Sequence, residues 1–197
     1  MKKILNLLLI ALFACQTALG ASATSTYGTV TSDNSNGGTI AWTNTGNLAA
    51  DDTLEAEAPL DALDVSEYLN LQNPGLSITA GSTIDGIGIY VDMTLGAGSS
   101  CRGDATHNLI RLLKAGTAVG DNKATGSVTA TTFGGSSDLW GTTWSVAEVN
   151  ATGFGTILEF EETDDDNCDV EIDYIELTVY YTEAGGSERR VTSFFII

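Results

Sequence analysis

Basic residues are scarce in this chain. Its 197 residues include 8 Lys and Arg against 26 Asp and Glu, a formal net charge of −18. Phosphate recognition needs clustered Lys and Arg, so a nucleic-acid partner is disfavoured. An anionic membrane surface is disfavoured for the same reason. Histidine is scarcer still, since His107 is the only one. Any Ser-His-Asp or Cys-His device, or any His-based metal site, would have to use it, and no G-x-S-x-G elbow surrounds a serine. Two prolines in the whole chain argue against a Pro-rich stalk. The apolar stretches near the two ends, Leu5–Ala14 and Val191–Ile197, are both shorter than the ~20 residues a membrane-spanning helix needs.

What is present suits strands and turns. Hydrophobic residues make up 43% of the chain and charged ones 17%, so Thr, Ser, Asn and Gly must supply most of the polar surface. Thr favours the pleated sheet, while Gly and Asn permit tight turns. Met1–Ala23 has the three parts of a secretory signal peptide: Lys2 and Lys3, the apolar Leu5–Ala14, and small residues for cleavage at Ala18-Leu19-Gly20 or Ala21-Ser22-Ala23. Without this leader the chain carries 6 basic and 26 acidic groups, a net of −20. A second reading of the same segment takes Leu12-Phe13-Ala14-Cys15 as a lipoprotein cleavage site with Cys15 lipidated. Both readings predict export to the secreted or cell-surface side, and only the second anchors the protein to a membrane.

Processing leaves Cys101 and Cys168, an even pair in an oxidising compartment. Each flanks a strand-like run, Ile84–Leu95 and Asp169–Thr182, and we expect them to form a structural disulfide. Along the mature chain, Thr39–Thr43, Thr53–Ala58 and Ser66–Leu71 read as short strands, although Asp61–Leu69 also suits a brief helical turn. Ile84–Leu95 alternates clearly, with Ile87, Ile89, Val91 and Met93 in one phase. His107–Ala115, Gly126–Phe133, Ile157–Glu161 and Val170–Tyr181 follow. In the last of these, Val170 and Ile172 share one phase while Ile175, Leu177, Val179 and Tyr181 share the other. An uninterrupted strand would turn one set to water, so a β-bulge is predicted near Asp173-Tyr174. The expected fold is therefore all-β: an antiparallel β-sandwich of the jelly-roll kind. The expected layout is a signal peptide over 1–23, a linker over 24–38, the sandwich over 39–183, and a tail or extra strand over 184–197.

The later half carries Ile84-Asp85-Gly86-Ile87, Asp138-Leu139-Trp140-Gly141, Gly153-Phe154-Gly155, and Ile172-Asp173-Tyr174-Ile175 followed by Val179-Tyr180-Tyr181-Thr182, in that order. Together these resemble a jelly-roll-like β-sandwich domain of phage virion-associated and uncharacterised secreted bacterial proteins, over about Thr39 to Thr182. The resemblance implies a fold and an exterior location rather than a reaction. The secretory leader departs from the virion pattern and favours a bacterial secreted or surface protein.

Several side chains merit weighing as site residues. Glu159, Glu161, Glu171 and Asp173 fall on neighbouring strand candidates, and a glycosidase needs only two carboxylates held across a cleft. Among 26 acids such pairs arise by chance, and these read as solvated strand faces. Asp164, Asp165 and Asp166 cluster on one polar loop and offer oxygen ligands for Ca²⁺, although the spacing is not that of an EF-hand. A hydrated acidic turn is the competing reading. Trp42, Trp140 and Trp144, with Tyr90, Tyr180 and Tyr181, are either core anchors or a platform for stacking on sugar rings. Trp140 is the ligand-binding candidate, because it follows a Gly-rich loop. The expectation is a non-enzymatic exported protein acting in adhesion, ligand binding or assembly of a surface structure, through self-association, another extracellular protein or a glycan. The alternatives are a carbohydrate-binding module-like protein and a phage virion-associated structural protein.

Overall fold

Alternating apolar residues along short segments, punctuated by Gly and Asn, have the period of half-buried strands. A computed structural model describes residues 20–96, 105–126, 128–165 and 167–184. These residues form ten strands: β1 (Gly20–Ser25), β2 (Thr29–Asp33), β3 (Ala56–Leu60), β4 (Tyr68–Gln72), β5 (Thr83–Leu95), β6 (Ala105–Lys114), β7 (Thr117–Val119), β8 (Thr131–Gly135), β9 (Gly155–Glu162) and β10 (Cys168–Thr182). The one α-helix among the described residues, α1 (Val146–Val149), starts at a capping box in which Ser145 and Glu148 satisfy each other's backbone N–H groups.

The strands form two antiparallel sheets packed face to face. The first runs β1-β10-β5-β8, with β3 also paired to β10; the second runs β2-β4-β9-β6-β7. With β1 and β2 set aside, β3-β10-β5-β8 faces β4-β9-β6-β7. This interleaving of early and late strands is the eight-stranded jelly roll. Between the sheets lie Ile87, Ile89, Val91 and Met93 from β5, Ile110 and Leu112 from β6, Leu158 and Phe160 from β9, and five aliphatic residues of β10, all essentially inaccessible. Trp42 packs edge-on against Phe160, with ring centroids 5.5 Å apart.

The longest strand holds the first sheet together. Its N-terminal half, Cys168–Ile172, pairs with β3, and its C-terminal half, Leu177–Thr182, pairs along the same edge with β1. β5 runs along the other edge, and its register jumps where Ile172 opposes Met93 and Tyr174 opposes Asp92. Asp173 is the extra residue. The bulge lies where the phase change in the apolar pattern required it, so Val170, Ile172, Ile175, Leu177 and Val179 all reach the core.

Some expectations need correction. Residues 24–38 are not a linker, because β1 and β2 occupy much of that stretch and pair with β10 and β4. Their short, Thr- and Ser-rich sequences bury little and so carry almost no apolar alternation. Thr39–Thr43 is not a continuous strand, since only Ile40 and Thr43 make isolated bridges. Asp61–Leu69 forms no helix, and the strand predicted over Gly126–Phe133 begins only at Thr131. Residues 1–19 and 185–197, with Cys15 and most of the C-terminal tail, lie outside the described residues.

Deleting Asp173 alone would make β10 regular and leave both apolar sets on the core side, whereas deleting Asp173 and Tyr174 together would throw one half of the strand out of phase and turn either Val170 and Ile172 or Ile175, Leu177 and Val179 to solvent. At ~1.5–3 kcal/mol per aliphatic side chain, this loss approaches the whole stability of a typical domain. The double deletion is therefore expected to lose its cooperative thermal transition, whereas the variant lacking Asp173 alone retains one. Circular dichroism melting distinguishes the two outcomes.

Candidate functional site

The bulge also shapes the outer face of the first sheet. It places two consecutive side chains, Asp173 and Tyr174, on the side away from the core; both are half-buried, between the fully buried Ile172 and Ile175. Opposite them stands Asp92 of β5. The Asp173 carboxylate accepts the backbone N–H groups of Asp52 (3.3 Å) and Thr53 (3.1 Å), which fastens the loop before β3 to the sheet. That loop brings in Asp51. Carboxylate oxygens of Asp51, Asp92 and Asp173 lie within 4.8 Å of one another. Ca²⁺ takes six to eight oxygens, more than three carboxylates readily supply, and no cation is assigned to the group.

Tyrosines stand beside these acids. Register pairs Tyr90 with Glu176, Gly88 with Thr178, and Gly86 with Tyr180. The Tyr174 hydroxyl donates to Glu176 Oε2 at 2.9 Å. Burial raises the phenol of Tyr90, and the negative charge of Asp92 adds to the effect. Burial also raises that of Tyr174, helped by its bond to Glu176. Both hydroxyls thus stay protonated and can donate. The Tyr180 ring lies over Gly88, where a Cβ would be in ordinary van der Waals contact with it at 3.7 Å. At Gly86 a Cβ would meet the Gly135 carbonyl oxygen at 2.3 Å, so the turn after β8 closes tightly onto β5 only because that position is glycine. Beyond Tyr180 the face dips into a cavity of about 370 Å³ lined by Gly20, Ala21, Ser22, Asp85, Ser136, Tyr180 and Tyr181.

This sheet is strongly anionic. Its five strands carry Glu57, Asp85, Asp92, Asp169, Glu171, Asp173 and Glu176, and neither Lys nor Arg. The cations among the described residues, Arg111, Lys114 and Lys123, lie on β6 or on the loop after β7. Two of them are engaged: Lys114 with Glu148 at 3.1 Å and Lys123 with Asp138 at 2.8 Å. Crowding shows most clearly at Glu171, whose carboxyl is raised first by burial and then by Glu55, Glu57 and Asp169.

The residues singled out from sequence fare differently. Trp140 is not a ligand platform. It is fully buried, donates its indole N–H to the Ile87 carbonyl at 2.9 Å, and adopts φ +58°. The Gly-rich loop before it serves this burial, because a side chain on Gly134 would collide with the indole nitrogen. Trp42 and Trp144 are likewise core. Of the aromatics considered, Tyr90 and Tyr180 share the outer face, Tyr181 packs against the core, and Tyr174 was missed. The bulge is the signal that would have found Tyr174.

The acid pairs proposed for glycoside hydrolysis separate. Glu159 and Glu161 lie in the second sheet, Glu171 and Asp173 in the first. Glu159 is pinned by the side-chain amides of Asn36 and Asn108. His107 is a core residue whose Nδ1 accepts the Thr125 N–H at 3.0 Å, with its ring edge-on to Phe133. Asp164 and Asp165 are exposed on the β9–β10 turn, where the Asp164 carboxylate accepts the Asp165 N–H; Asp166 lies outside the described residues. Cys168 is fully buried at the start of β10 and is disulfide-bonded, while Cys101 lies outside the described residues.

No family model matches the chain, and neither a curated protein nor a solved structure does.

Two measurements follow from this geometry. Non-reducing peptide mapping is expected to recover a Cys101–Cys168 cross-linked peptide, and two free thiols would end that assignment. Because the folded carboxyl of Glu171 is raised, its ionisation opposes folding above that value, and the penalty fades as pH falls through it. Glu171→Gln is therefore expected to raise stability at neutral pH by about 0.5 kcal/mol, the scale of partly solvated charge interactions. The gain should vanish on acidification, as read from Tm against pH.

Proposed function

We propose that this protein is an exported, non-enzymatic jelly-roll module that binds a glycan on the outer face of the β1/β3-β10-β5-β8 sheet, in the service of adhesion or of building a surface structure. The observation that carries this reading is the placement of Tyr90, Tyr174 and Tyr180 on that face, among carboxylates and next to a cavity. The C–H faces of a sugar ring stack on aromatic rings, while its hydroxyls donate to carboxylates and accept from phenols. Tyr90 and Tyr180 supply rings; Asp92, Glu176 and Asp85 supply acceptors. Specific sites combine apolar contact with a few placed polar groups in this way.

The charge narrows the ligand. An excess of acids on the sheet repels uronic or sialylated chains, so neutral or amino sugars are the favoured class. The protein acts on the secreted or cell-surface side, and is membrane-attached only if Cys15 is lipidated. A second reading, a structural subunit of a surface or virion assembly, has some support in β8, which is paired on one side only at the end of its sheet. Fold by itself does not choose between these roles.

The mature protein on a glycan array is expected to select neutral or amino-sugar chains. In calorimetry with the best of these, Tyr180→Ala and Tyr90→Ala should each weaken binding about tenfold, corresponding to ~1.4 kcal/mol, with Tm nearly unchanged. An array with no selective binding would sink the glycan reading and leave the structural one.

A further inference from the structure

The leader offers two cleavage positions, and β1 distinguishes between them. Both match the small-residue rule: Ala18 and Gly20 before one bond, Ala21 and Ala23 before the other. By composition the second is the closer match to A-x-A. The fold, however, uses this stretch. Gly20, Ala21, Ser22 and Ala23 pair in register with Thr182, Tyr181, Tyr180 and Val179, and only Thr24 and Ser25 continue the strand. Ala21 and Ala23 alternate inward with the exposed Ser22, and Ala23 packs against the core.

We infer that the leader is removed between Gly20 and Ala21, so that the mature protein begins with β1 itself. This rests on Met1–Ala23 being a signal peptide. Cleavage there costs the strand only Gly20, the terminal residue of the pairing. Cleavage after Ala23 would leave a two-residue remnant and open the edge of β10 from Val179 to Thr182, a row of unpaired backbone groups that invites association. It would also strip Ala21 and Ser22 from the wall of the cavity beside Tyr180. With Cys15 lipidated instead, only Gln16–Leu19 would separate the lipid from the first strand, holding the sandwich against the membrane.

N-terminal sequencing and intact mass of the full-length chain exported from a bacterial host test this directly. The expected N-terminus is Ala21. Gly20→Leu, which places a bulky residue before the scissile bond, should abolish that N-terminus, whereas Ala23→Leu should leave it in place. Because the readout is the N-terminus, it survives even if a variant folds poorly. A mature chain starting at Thr24, or at an acylated Cys15, would overturn the inference while preserving export. Retention of Met1 in the exported protein would overturn the signal-peptide reading itself. As an independent check, a chain made to start at Thr24 should melt several degrees below one starting at Ala21; equal melting temperatures would count against the inference.

Discussion

A single extra residue in β10 is the constraint on which the first sheet depends. The strand must satisfy three neighbours at once, β3 and β1 in succession on one edge and β5 along the other, while keeping five aliphatic side chains on the core side. Its sequence carries those side chains in two opposite phases. The bulge at Asp173 reconciles them, and it does so by turning two adjacent polar side chains outward. The core of the sandwich and the chemistry of its outer face thus share one local cause. Asp173 then stabilises the arrangement by accepting two backbone N–H groups from the loop that leads into β3.

That origin explains how much of the fold was legible. Ile84–Leu95 and Val170–Tyr181 could be read because long strands between two sheets display their period openly, and the phase change was itself a readable instruction. β1 and β2 could not be read this way. Their residues are small and polar, and they are strands only because β10 and β4 present edges to them, a tertiary circumstance that local pattern does not encode. Trp140 misled for a related reason. A tryptophan after a Gly-rich loop resembles an exposed platform, yet the glycines there make room for the indole to enter the core and reach the Ile87 carbonyl. The candidate face was half legible: Tyr90 and Tyr180 could be named from sequence, whereas Tyr174 and the Asp51–Asp92–Asp173 grouping exist only once the bulge and the long loop before β3 are in place.

Charge is distributed as unevenly as it is abundant. The strands of the first sheet hold acids alone, and the described cations sit on or beside the second. Lys114 and Lys123 are committed to Glu148 and Asp138, where they also approach Trp144 and Trp140, so they fasten loops rather than neutralise the anionic face. Carboxylates on that face are left to repel one another, as the raised carboxyl of Glu171 records. A surface of this kind tolerates poor electrostatics because strand pairing and the core hold it in place. Two of those carboxylates, Glu176 and Asp85, also accept from the hydroxyls of Tyr174 and Thr182, both on β10.

The pairing of the first strand with the last has a kinetic side. Thr24 and Thr178 exchange a hydroxyl contact across 154 positions of sequence, and β5 likewise waits for β10. Little of the first sheet can close before the final strand has arrived, and such distant pairings make folding slow. A polypeptide that emerges N-terminus first therefore remains pliable for almost its whole length. The topology builds in a delay of the sort a chain needs if it is to be threaded through a narrow conduit before it locks.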